Sequence, residues 1–240
     1  MAALNENDLK RKVVFLGLED ILIPGDVEKE IDLEKVKEIL SQLQSLEKQM
    51  PSFHYYLLTG HRENATEKML KEFGLGGFFR KETILSVTDN YVKEKAKVDR
   101  KRYEENLAKD PGFKDEYFKQ VAIQKIRKEL GCPDKDMILI GHELISEAFY
   151  TMRFSKIDFA IIRSAQSYLN KKFKEKIEGI IYIKREWPDF KKLLLGEKGE
   201  PNPAAFEKLI FKKLNESLMK SQSVKVIGKP LPGLKEGLTS

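Results

Sequence analysis

The chain has 240 residues, with 44 Lys and Arg against 38 Asp and Glu and a 41% hydrophobic share. At about 150 residues per domain this length is one domain with an insertion or two small ones, and the apolar content excludes a disordered chain. A net charge of +6 in a 34% charged chain is not a histone-like composition. No apolar run approaches the ~20 residues of a membrane span, and Asn5, Glu6 and Asp8 interrupt any secretory signal, so a soluble cytoplasmic protein without membrane contact is expected.

Val13-Val14-Phe15-Leu16 is an apolar run without alternation, the pattern of a strand covered on both faces. Leu33, Val36, Ile39, Leu40, Leu43 and Leu46 recur at helical spacing behind Asp32, which has the chemistry of an N-cap. A second strand, Tyr55 to Leu58, follows Pro51, and Ala65, Met69, Leu70 and Phe73 mark a helix stopped at Gly74. Phe118, Val121, Ala122, Ile126 and Leu130 give a helix that ends at Gly131 and feeds a strand at Met137 to Ile140. Further strands are predicted at Ile157 to Ile162 and Ile180 to Ile183, with a helix around Tyr168 to Ile177 between them. Strands alternating with helices predict an α/β domain over residues 11–200, a doubly wound Rossmann-like parallel sheet.

Two stretches fall outside that rhythm. Residues 78–114 read as a small cap-like helical insertion centred on the charged segment Tyr91 to Lys109. Residues 201–240 read as a C-terminal amphipathic helix and tail. There Phe206, Leu209, Ile210, Leu214 and Leu218 make an amphipathic stripe after the turn-rich run Gly196 to Pro203. Val224 to Ile227 is a possible short strand, and Lys229 to Ser240 is Gly- and Pro-rich.

In an open parallel sheet, ligands bind beyond the carboxyl ends of the strands where strand order reverses. The residues to read are therefore Gly17-Leu18-Glu19-Asp20-Ile21, Thr59-Gly60-His61 and Gly141-His142-Glu143. One cysteine, Cys132, excludes an intrachain disulfide and a cysteine-rich zinc site, and three histidines argue against a His-cluster metal centre. Abundant Lys and Glu beside one Cys and one Trp lean toward the composition of a thermophile's protein.

Val13-Val14-Phe15-Leu16-Gly17-Leu18-Glu19-Asp20-Ile21 resembles the first motif of the haloacid dehalogenase-like (HAD-like) superfamily, an apolar strand followed by Asp-x-Asp-x-Thr. Tyr56-Leu57-Leu58-Thr59-Gly60 resembles the second, and Lys119-Gln120-Val121-Ala122-Ile123 the third. Ile138-Leu139-Ile140-Gly141-His142-Glu143 with Ser146 and Glu147 is similar to the fourth, Gly-Asp followed by another acidic residue. The four stand in register over roughly residues 11 to 165.

The resemblance implies a nucleophilic aspartate that also ligates magnesium, and a second aspartate as general acid and base. Those positions are Gly17 and Glu19 here, and the metal-binding aspartate of the fourth motif is His142. Glycine has no nucleophile, and imidazole is a poor replacement for a hard oxygen ligand on magnesium. No cofactor is therefore expected, with Mg2+ only if Glu19, Glu143 and Glu147 rebuild an acidic site. Thr59 and Lys119 remain; in the family they hold phosphate oxygens, and with Gly60 they are the candidate anion-binding set.

Each residue also has a plainer role open to it. Thr59 can cap the next helix, Lys119 can be a surface lysine, His142 a hydrogen-bonded loop residue, and Cys132 a small packing residue. The expected function is that of a catalytically degenerate HAD-like protein, a pseudoenzyme with a binding or scaffolding role and weak phosphate or sulfate binding in the old cleft. Its partner is another protein or a second copy met through the C-terminal helix. The alternatives are a hydrolase acting on a phosphorylated substrate through Glu19 and His142, and RNA binding through Lys93 to Arg102. That segment interleaves acids with its bases and lacks internal stacking aromatics, which favours a solvated helix over an RNA platform.

Overall fold

A computed structural model describes residues 12–25, 31–89, 100–109, 113–163, 179–183, 202–210 and 212–213. The apolar runs form strands β1 (Val13–Gly17), β2 (His54–Thr59), β3 (Ile84–Ser86), β4 (Met137–Gly141), β5 (Asp158–Arg163) and β6 (Gly179–Ile183). The helices are α1 (Leu33–Gln49), α2 (Glu63–Glu72), α3 (Arg100–Lys109) and α4 (Phe113–Leu130), with helical backbone again over residues 203–210. The strands make one sheet in the order β3-β2-β1-β4-β5-β6. The first five are parallel; β6 runs antiparallel to β5, with Ile161 opposite Ile181.

Helices cover both faces, as the unalternating strands require. Val14, Leu16, Tyr55 and Leu57 point to the α1 and α2 side, where they meet Val36, Leu40, Leu43 and Leu70. Val13, Phe15, Tyr56, Leu58, Met137 and Leu139 point the other way, onto Phe118, Ala122, Ile123 and Ile126 of α4. The neighbours in each strand alternate between the two clusters because successive strand side chains face opposite ways. α1 starts where Asp32 accepts a hydrogen bond from Lys35 N.

The structure alters the predicted layout in four places. The segment 78–114 is not wholly an insertion: Ile84–Ser86 is β3, the edge strand of the main sheet, and Phe79, Ile84 and Val87 are buried. The last strand is antiparallel, so the parallel sheet ends at β5. α4 begins at Phe113, ahead of the apolar stripe that marks it in the sequence. The tail also joins the core, since Phe206 and Ile210 are fully buried and Phe206 packs edge-on against Phe149 at 5.5 Å. Residues 91–99, the helix expected around Tyr168 to Ile177, Leu214, Leu218, Val224 to Ile227 and Lys229 to Ser240 lie outside the described residues. Among the described residues no helix is long and apolar enough to cross a membrane.

Candidate functional site

β1, β2 and β3 run to one side of the sheet and β4 and β5 to the other, so strand order reverses between β1 and β4. That reversal opens a crevice at the carboxyl edge. Gly17 ends β1 and Gly141 ends β4, and Thr59 ends β2 next door.

The loop after β1 is a tight turn. Leu22 N and Ile23 N both donate to Leu18 O, and Asp20 N donates to Ile23 O. Leu18, Ile21, Leu22 and Ile23 turn into the core, which leaves Glu19 and Asp20 at the crevice. Asp20 takes a left-handed backbone, φ 59°, which Asp tolerates better than most residues; its Oδ1 accepts a hydrogen bond from Gly25 N at 3.2 Å.

Each acidic side chain of this loop meets a histidine from another strand end. Glu19 Oε1 lies 2.8 Å from His61 Nε2, and Asp20 Oδ2 lies 3.5 Å from His142 Nε2. His142 is further flanked by Glu143 Oε1 at 3.6 Å and, on its Nδ1 side, by Glu147 Oε2 at 3.6 Å. Two of the three histidines of the chain thus sit at this edge.

Glu147 is the most buried charge of the site. It follows the β4 end on a π-helical turn, Leu144–Phe149, closed by Ala148 N donating to Glu143 O. π-helical turns gather at functional sites. Glu147 is 7% exposed; its Oε2 accepts from His142 N at 2.9 Å and Glu143 N at 3.1 Å, and its Oε1 faces Lys119 Nζ at 3.4 Å. Burial pushes its carboxyl up, but Lys119, His142 and the two amides outweigh burial and hold it below the usual glutamate range.

Lys119 therefore faces Glu147. Thr59 is buried, and its hydroxyl accepts from His61 N at 3.1 Å. It does not cap α2. That helix receives a carboxylate from further along the chain, Asp89 Oδ2 accepting from Glu63 N at 2.7 Å, while Asp89 N donates to Ser86 Oγ. Gly60 is exposed and its carbonyl accepts from the Thr88 hydroxyl. The structure gathers Lys119, His142, Glu143 and Glu147 in one cluster and places Glu19 in another with His61. The pairing of His61 with Glu19 and the part played by Asp89 escape a reading of the sequence for function. His61 carried a signal, standing two residues beyond a strand end; Asp89 carried none.

The donor set does not fit magnesium. Gly17 offers no side-chain oxygen, the His142 side chain offers nitrogen, and both Glu147 oxygens are already engaged. Among the described residues no three His, Cys, Asp or Glu side chains are disposed to hold a metal ion. Cys132 is buried, and burial with the charge of Asp136 pushes its thiol up, away from a reactive thiolate.

The arrangement pairs the buried Glu147 carboxylate with an ammonium and two amides and, at the exposed rim, sets the Glu19 carboxylate within hydrogen-bond distance of the His61 imidazole. Comparison of the chain with protein-family models, curated proteins and solved structures finds no match.

Proposed function

We propose that the chain is a HAD-like protein that has lost phosphoryl-transfer chemistry and serves as a binding or scaffolding protein, its strand-end cleft retaining weak affinity for phosphate or sulfate. The observation that carries this reading is Gly17 at the carboxyl end of a central strand, beside the reversal of strand order, where the resemblance calls for the nucleophile. No side chain there can attack phosphorus. Further support is that the loops bearing the first, second and fourth motifs end adjacent strands, since β1 pairs with both β2 and β4.

Two measurements test the reading. Purified protein is expected to hydrolyse no aryl phosphate with magnesium present; turnover that copurifies with the chain through successive columns overturns it. Inorganic phosphate is expected to shift the NMR signals of the Thr59 and Gly60 amides at roughly millimolar concentration, only ~4 kcal/mol of binding.

A second reading has one observation in its favour. The 2.8 Å contact between His61 and Glu19, both about half exposed, is the geometry of a carboxylate orienting an imidazole for proton transfer. This makes the rim a candidate acid and base for a hydrolase of a phosphorylated substrate, and it replaces the Glu19 and His142 pair expected from the sequence. Any ester turnover lost in His61→Ala favours it.

A further inference from the structure

We propose that Glu147 is an internal anion seated in the cleft's own anion cradle, so that the cradle accepts an external oxyanion only when this carboxylate is withdrawn. The inference rests on the reading of the cleft as a residual anion site and supplies the reason its affinity is weak.

The cradle has three donors from two elements. His142 N and Glu143 N converge on Oε2 at 2.9 and 3.1 Å, and Lys119 Nζ, brought by α4, approaches Oε1 at 3.4 Å. Two amides on one oxygen and an ammonium on the other is how a carboxylate or phosphate face is bound with charge assistance. The space is shaped for the group. At Gly141 a β-carbon would stand 3.0 Å from Glu147 Cδ and closer still to its Oε2, so the absence of a side chain there gives the carboxylate its seat. Glu147 is tethered four residues beyond Glu143 by the π-helical turn, and a tethered group competes at high effective concentration against any dissolved ion. Glu143 and Asp20 beside His142, and Glu19 beside His61, bring further acidic groups to the approach that oppose an incoming anion.

The ligand class is a small oxyanion, carboxylate or phosphate, and the probes separate the two. In the 240-residue chain, Glu147→Gln keeps the side-chain volume and removes the charge. Inorganic phosphate titrated into wild type and variant, read at the His142, Glu143, Thr59 and Gly60 amides, is expected to bind the variant at least about fivefold tighter, the lower range of coupling between competing occupants. Formate titrated in the same way shows whether the cradle prefers a carboxylate. The gain is expected to vanish in the double variant Glu147→Gln, Lys119→Ala. A smaller gain with both probes, or one that persists without Lys119, overturns the proposal. A silent wild type beside a responding Glu147→Gln removes the residual-binding reading and leaves this one standing; a responding wild type with an unimproved variant does the reverse. If Glu147→Gln does not fold, formate or phosphate is expected to restore folding of Glu147→Ala where chloride of equal ionic strength does not, and failure of both anions overturns the proposal.

Discussion

β1 and β4 are hydrogen-bonded neighbours and each ends in glycine, but a side chain would meet different surroundings at the two positions. At Gly141 a β-carbon would come within 2.7 Å of Phe159 Cζ as well as striking the Glu147 carboxylate. At Gly17 the nearest atoms would be Ile21 Cγ1 at 3.4 Å, Ile140 O at 3.5 Å and Gly141 Cα at 3.9 Å, ordinary contact distances. Packing demands glycine at the end of β4. It does not demand glycine at the end of β1, where a side chain would meet only ordinary contacts.

The largest effect follows from breaking the β4 side of this contrast. Gly141→Ala forces Glu147 off its two amides or Phe159 off its ring position, and overpacking together with lost charge-assisted hydrogen bonds costs about 4 kcal/mol. Chemical denaturation measures it. A loss under about 1 kcal/mol means that Glu147 leaves its seat easily and that the contrast is one of degree.

Next in size is Lys119→Met, which leaves the buried Glu147 carboxylate with only its amides and His142. Removing one partner of a buried pair costs about 3 kcal/mol. The pH dependence supplies an independent reading. The folded-state pKa of Glu147 is depressed, so the stability this carboxylate contributes is complete above the ordinary glutamate value of 4.5 and is lost as pH falls through the depressed one. Without Lys119 the penalty of burial is no longer outweighed to the same extent, and the acid limb of the stability curve is expected to begin at higher pH. An acid limb that stays in place means that the amides alone hold the charge.

Much of this arrangement is legible in the sequence, for identifiable reasons. Unalternating runs such as Val13 to Leu16 and Met137 to Ile140 announce strands with two covered faces, and the strand-end rule leads from them to Gly17, Thr59, His142 and, through the motif order, Lys119 and Glu147. Four features stay hidden. β3 is only Ile84–Ser86, too short for periodicity to register, and its burial comes from the sheet, not from any local pattern. The first turn of α4 is polar enough to look like linker. The pairing of His61 with Glu19 spans 42 residues and that of Asp89 with Glu63 spans 26, so neither contact leaves a trace in local spacing. The antiparallel sense of β6 is likewise set by the path of the chain and not by the residues Gly179–Ile183.

β2 sharpens the comparison from its other end. Its carboxyl end delivers Thr59 to a crevice of paired charges, whereas Tyr55 near its start donates a neutral hydroxyl to Phe78 O beside a cavity of about 290 Å³ edged by Glu47 and Arg80. Burial, then the Glu47 charge, pushes the Tyr55 phenol up from 10.0 to about 12. Stability from this group is complete below pH 10 and falls as the pH rises from there through about 12, the reverse of the Glu147 case. Tyr55→Phe is expected to cost about 1 kcal/mol at neutral pH and to remove the part of the alkaline loss that Tyr55 causes. An unchanged alkaline limb assigns that loss to other groups.

The smallest effect tests the other glycine. Gly17→Ala adds a β-carbon to a buried strand end where contacts are already at van der Waals distance, and alanine loses less backbone entropy on folding than glycine. The two terms favour the variant, and a gain of roughly 0.5 kcal/mol is expected, small but opposite in sign to Gly141→Ala. The sign is the decisive quantity. Stabilisation means that glycine stands at the end of β1 against the interest of the fold, so its retention there has to be explained by what the cleft does. A loss above about 1 kcal/mol means instead that Ile21 or the β4 backbone cannot yield even a few tenths of an ångström, which makes Gly17 a packing residue like Gly141. Gly17→Asp together with His142→Asp then separates chemistry from packing: if the alanine variant is stable and the double variant gains magnesium affinity by calorimetry, only the donors were missing. A stable double variant without magnesium affinity shows that Lys119 and Glu147, locked to each other, have closed the site to metal independently of Gly17.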